Sequence, residues 1–140
     1  MTEKEEQQAV FDRVSTHLRK QGKPSVTILS GDTTFTCAYR GDDGLQCSAG
    51  CLIPDDMYDP QMDNPKSSEQ ETTKWWYVSR KFDLVKLFKY VTTHRLIADL
   101  QIAHDSPVSK LGVDWACAVE RSLEKIALTR GLKYENPVHF

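Results

Sequence analysis

Between positions 10 and 18 the apolar residues fall at four-residue intervals, Val10, Val14 and Leu18, with Phe11 beside them. That spacing gathers them on one stripe of a helix. Thr2 and Glu5 stand at capping-box spacing ahead of it, and Gly22 and Pro24 stop it. The period then shortens. VTIL, 26–29, is a short β-branched run, Ser30-Gly31-Asp32 turns the chain, and TTFTCAYR, 33–40, alternates as a strand does. In GDDG, 41–44, Asp42 and Asp43 suit the centre of a type I turn and Gly44 suits the left-handed position of a bulged hairpin loop. That loop would pair Gly41 with Leu45, Arg40 with Gln46, Tyr39 with Cys47 and Cys37 with Ala49. One face of the ribbon would then collect Phe35, Cys37, Tyr39, Leu45, Cys47, Ala49 and Cys51. A slip of one residue would turn this apolar set outward, so the pattern favours the register. The expectation is a hairpin over 33–53.

Pro54 ends that pattern. The following stretch, PDDMYDPQMDNPKSSEQETT, carries three prolines and little periodicity. It reads as a long acidic loop with a helical turn at Asp55–Tyr58, and residues 64–73 are expected to be its mobile part. Three helices are predicted beyond it. Leu84, Leu87, Phe88 and Val91 define one over 82–92. A second starts at Thr93 as its cap and turns Leu96, Ile97, Leu100 and Ala103 inward, until Ser106-Pro107. The third is capped by Asp114, carries Trp115, Val119, Leu123, Ile126 and Ala127 inward, and ends at Gly131. The predicted architecture is α+β in one globular domain, 1–140. It comprises an N-terminal helix, a small antiparallel sheet, the acidic loop, and a C-terminal three-helix bundle packed on the sheet.

Charge sharpens this picture. The formal net charge of −2 argues against direct nucleic-acid binding, yet its distribution is uneven. From Gly41 to Thr73 there are eight acids and one base, Lys66; from Lys74 to Lys133 there are 11 bases and 6 acids. An acidic loop and a basic helical region follow, which either neutralise each other across one domain or face separate partners. No stretch approaches the ~20 apolar residues of a membrane span. The polar start MTEKEEQQAV does not read as a secretory signal, so a cytoplasmic location with reduced cysteines is expected.

Four cysteines and the pair His104–Asp105 hold the candidate chemistry. Cys37, Cys47 and Cys51 share the apolar face of the predicted ribbon, where free cysteine packs as a small hydrophobe. With Cys117 they form a weak zinc candidate, because C-x3-C spacing is unusual and the fourth ligand comes from a distant helix. A thiol such as Cys51 with His104 as base and Asp105 behind it would be a weak catalytic candidate. The plainer reading places His104 near a helix C-terminus, where it favours the macrodipole. No cofactor motif is present: there is no glycine-rich phosphate loop, and Asp55, Asp56, Asp59 and Asp63 lack EF-hand spacing.

KWWYV, 74–78, sets Trp75, Trp76 and Tyr77 side by side, so at least one ring is expected to be exposed or covered by the loop. Trp and Tyr dominate interface energetics, and such rings also stack on bases. The predicted partner-binding set is Asp55, Asp56, Tyr58, Asp59 and Asp63 with Trp75 and Trp76.

The segment YRGDDGLQCSAGCLIPDDMYDP, with LQIAHD after it and VSTHLRKQG before it, resembles a family of small uncharacterised phage and prophage proteins. The resemblance spans about Phe11 to Asp105 and carries no catalytic or binding residue with it. It implies a phage-type accessory protein in the cytoplasm of a host cell, acting by binding and inhibiting a host factor or defence component. Two alternatives stand beside that expectation, a sequestering protein for a nucleotide signal and a small Cys/His-dependent enzyme. Small binders of this kind are often dimers, and the sequence leaves a homodimer open.

Overall fold

A computed structural model describes residues 1–28, 35–63 and 73–135. The fold is α+β. Helix α1 spans Glu3–Gln21, strands β1 and β2 span Val26–Ile28 and Phe35–Cys37, and three helices follow: α2 at Trp75–Lys81, α3 at Val91–Asp105 and α4 at Trp115–Arg130. Short 3₁₀ turns make up much of the chain between β2 and α3.

Helix α1 starts as its sequence dictates. Glu5 N–H donates to Thr2 Oγ1, and Thr2 N–H donates to the Glu5 carboxylate. At its far end Gly22 adopts φ 71° and donates to Leu18 O. Val10, Phe11, Val14 and Leu18 are buried against α3 and against the turn Gly50–Leu52. Helix α3 is central. Its Leu96, Ile97 and Leu100 are fully buried, and α1, α2 and α4 all pack on it. Asp114 caps α4 by accepting from Cys117 N–H, Val119, Leu123 and Ala127 face inward, and Gly131 closes it at φ 66°.

Polar ties span the bundle. The Glu6 carboxylate accepts from the backbone N–H groups of Lys89 (3.0 Å) and Tyr90 (3.2 Å), so α1 supplies the acceptor for donors just ahead of α3. Arg19 grips Glu120 of α4 with two donors at 2.5 and 3.1 Å, and Tyr134 Oη–H donates to the same carboxylate at 2.7 Å.

The hairpin differs from the expected one. Strand β2 pairs antiparallel with β1 before it, Val26 opposite Cys37 and Thr27 opposite Thr36. The expected pairing of Arg40 with Gln46 does form, and Gly41 N–H donates to Leu45 O. Beyond Gln46 the ribbon stops. Cys51 N–H donates to Cys47 O and Leu52 N–H to Ala49 O, so residues 47–52 coil into turns. Burial records the change: Cys47, Ser48, Ala49, Gly50 and Cys51 are all buried, where a strand would alternate. Gly50 shows why this fits. A Cβ there would lie 2.1 Å from Tyr39 O, so the turn can nest under that carbonyl only with glycine. In the 41–44 loop both Asp43 (φ 60°) and Gly44 (φ 77°) are left-handed, the primed handedness that suits a twisted hairpin, where a type I centre was expected.

The helices also depart in two places. Residues 82–92 do not form one helix. Asp83 at φ 57° breaks the chain, a 3₁₀ turn covers Leu84–Leu87, and α3 begins at Val91. Thr93 is therefore a buried first-turn residue, with Tyr90 as the cap position. The missing helical stretch is replaced by α2, which the aromatic run forms. The helices pack mainly on one another and on the coiled 47–53 segment, while the two-stranded ribbon sits at the C-terminal end of α3. The predicted mobile segment 64–73 lies, but for Thr73, outside the described residues.

Candidate functional site

Cys47 is fully buried and its Sγ accepts from Gly50 N–H at 3.3 Å; Cys51 Sγ–H donates to Ser48 O at 3.1 Å. Both sulfurs thus tie the turn that contains them. Burial pushes Cys51 up to about 12, and raises Cys47 well above the ordinary thiol value. Neither sulfur is poised as a thiolate.

Cys37 meets His104 and Asp105, and their ligand atoms lie within 4.8 Å of one another. This is the only such group of three among the described residues, and Cys47, Cys51 and Cys117 are not in it. The imidazole is spoken for on both sides. Ser25 N–H donates to Nε2 at 2.8 Å, which fixes the proton on Nδ1, and Nδ1–H donates to Asp105 Oδ1 at 2.6 Å. No ring nitrogen is left to take a proton from Cys37, and a metal would have to displace one of these bonds. Burial and then the neighbouring Asp105 carboxylate push the Cys37 thiol up to about 12. Trp115 closes the cluster, its indole N–H donating to His104 O and its ring set edge-on to the imidazole at 5.5 Å. The structure thus sets Cys37, and not the expected Cys51, beside His104 and Asp105, and this cluster ties β1, β2 and α3 together.

The acidic segment is built differently from a solvated loop. Asp63 turns back into the fold. Its carboxylate accepts from Tyr39 N–H (2.7 Å), Arg40 N–H (3.0 Å) and Tyr58 Oη–H (2.6 Å). Burial and the Asp63 bond both raise the Tyr58 phenol above its ordinary value, so it stays a donor. Arg40 reaches across the same junction. One guanidinium nitrogen donates to Asp55 at 2.6 Å, another to Ile53 O at 2.7 Å, and the group lies 5.1 Å from the centre of the Tyr58 ring. Asp59 caps the turn Pro60–Met62 through Gln61 N–H, and Met62 is fully buried beneath it.

These ties sort the predicted binding residues. Asp63 is an internal fastener and Tyr58 a half-buried strut. Asp55 and Asp56 are exposed and Asp59 is half-buried. Asp42 and Asp43, two and three residues past Arg40, are exposed as well. Solvent-accessible acids thus stand on two segments, 42–43 and 55–59, and the Arg40–Tyr58–Asp63 junction holds the second of them. Arg40 is the residue that sequence reasoning passed over. Its signal was its place as the last base before a stretch holding eight acids.

The tryptophans separate. Trp75 is buried, its ring stacked on His94 and its indole N–H donating to His94 Nδ1 at 3.2 Å, so it is a core residue. Trp76 is 51% exposed and meets Tyr77 edge-on at 6.0 Å. Among the described residues no helix is long and apolar enough to cross a membrane.

No family model matches the chain, and neither a curated protein nor a solved structure is significantly similar to it.

Proposed function

We propose that this is a binding protein whose acidic edge, Asp42, Asp43, Asp55, Asp56 and Asp59, docks on a basic surface of a protein partner. The observation that carries the reading is the Asp63–Arg40–Tyr58 junction. A carboxylate holding two backbone amides and a phenol, with an arginine clamped between an acid and a ring, fixes the edge before any partner arrives. Preorganised surfaces lose less freedom on association, and a dense negative field speeds encounter with a positive one. The phage-type resemblance makes a host factor or defence component the natural class of partner. The thiol cluster supports a structural role for its members over a catalytic one, since its imidazole is engaged at both nitrogens.

The test uses Asp43→Lys with Asp56→Lys, both exposed and outside the Arg40–Asp63 network. Immobilised wild type and double variant are exposed to the same bacterial lysate at low salt. A partner retained by the wild type and lost by the variant is expected, with slower association and a weaker salt dependence when its kinetics are measured. Equal retention of every protein by both, with unchanged melting, would remove this edge as the interface.

A further inference from the structure

The solvent face of α2 carries a different chemistry. Trp75, Val78 and Ser79 are buried, while Trp76, Arg80 and Lys81 are exposed and Tyr77 is half-buried. Helical spacing sets Arg80 one turn from Trp76 and Lys81 one turn from Tyr77, so each base shares a side of the helix with a ring. Arg80 is anchored on this side of the helix, where a guanidinium nitrogen donates to the Trp76 backbone carbonyl at 2.7 Å. The perpendicular setting of the Trp76 and Tyr77 rings spreads their faces in two directions. From Thr73 to Arg95 there are six bases and one acid. That acid, Asp83, is already paired with Lys86 at 2.8 Å.

We propose that this face binds single-stranded nucleic acid, with Trp76 and Tyr77 as stacking platforms and Lys74, Arg80 and Lys81 on the phosphates. Charge complementarity selects a polyanion. The exposed ring faces select one with unpaired bases, because duplex bases are stacked on each other and offer no free face. The helix is about 10 Å long, which suits a short stretch of strand. The chain's small negative net charge is no obstacle, because the stretch from Thr73 to Arg95 carries a local basic excess. The residues of this face are not those of the acidic edge, so the two readings are tested by different substitutions.

The experiment measures fluorescence anisotropy of a labelled twenty-nucleotide oligothymidylate with the full-length protein at 25–200 mM salt, and indole fluorescence alongside. Tight binding at low salt, falling steeply as salt rises, is expected, with indole quenching on saturation. Trp76→Ala should weaken binding on the order of tenfold, and Arg80→Ala with Lys81→Ala should weaken it and flatten the salt slope. A duplex of equal length should bind more weakly, and Asp56→Lys should not weaken the oligonucleotide. Because all these positions are exposed, unchanged circular dichroism melts confirm that each variant folds. Three results would overturn the proposal: no binding at 25 mM salt; equal competition by polyglutamate with no effect of Trp76→Ala, which marks an acidic protein as the partner; or full competition by thymidine monophosphate at equal nucleotide concentration, which marks a free nucleotide site.

Discussion

Asp63 is the residue on which the acidic segment turns. Its carboxylate replaces strand pairing for Tyr39 and Arg40, whose backbone donors would otherwise lack partners at a half-buried position. Removing it costs more than one hydrogen bond, because two amides and the Tyr58 hydroxyl lose their acceptor together. Asp63→Ala is therefore expected to destabilise by about 2–4 kcal/mol in urea denaturation, with Asp63→Asn intermediate because one acceptor oxygen survives. A variant as stable as the wild type would show that these three donors do not depend on it. Arg40 makes the complementary point. Its value lies in reaching a carbonyl, a carboxylate and a ring at once, geometry that a planar guanidinium supplies and a lysine does not.

At the scale of elements, the coiled turn 47–52 does the work that a second long strand was expected to do. It fills the space beside α1, and its backbone lies so close to Tyr39 that one added carbon collides with a carbonyl oxygen. Gly50→Ala should destabilise by about 3 kcal/mol or more, since both colliding groups are buried backbone or next to it. Tm by differential scanning calorimetry checks this; a shift of only a degree or so would mean that the turn moves away at little cost. Helix α2 illustrates the opposite case. Its short length gives it little stability of its own, and it is held by Trp75 and Val78 inside the core, which leaves Trp76, Arg80 and Lys81 exposed on its outer face.

For the whole molecule, the buried acids and thiols set a pH window. Burial, with Asp105 for Cys37, holds the Cys37 and Cys51 thiols up to about 12 and Cys47 higher than usual, while burial and the Glu120 contact push Tyr134 up to about 12. In the unfolded chain these groups ionise from about pH 8.5 for thiols and about 10 for tyrosine. Above that range the unfolded state has lost protons that the folded state still holds, so stability falls as pH rises towards 12. On the acid side, burial works to raise Glu120, but the bonds from Arg19 and Tyr134 outweigh it and its carboxyl sits lower than usual. That contribution is present above the ordinary carboxylate range and is lost as pH falls through it. Urea midpoints measured from pH 3 to 11 should form a plateau near neutrality with a decline at each end. A midpoint that holds steady from pH 8 to 11 would contradict the protonated, buried state of the thiols.

Much of this was legible in the order of residues. The start and stop of α1, the caps of α4, the apolar stripe of α3 and the division of charge into an acidic and a basic half all follow from spacing, because each depends on neighbours within a turn or two. The pairing of Arg40 with Gln46 was legible for the same reason, being set by the loop between them. Tertiary structure decided the rest. It chose β1 over the 47–53 segment as the partner of β2, because cysteine, serine, alanine and glycine fit a tight coil as readily as a strand and only the surrounding volume separates the two. It turned Asp63 inward while leaving Asp56 in solvent, and buried Trp75 while exposing Trp76. Identical side chains a residue or a few apart differ in nothing that sequence records. Their fates depend on which backbone amides and which helix faces the fold brings within reach.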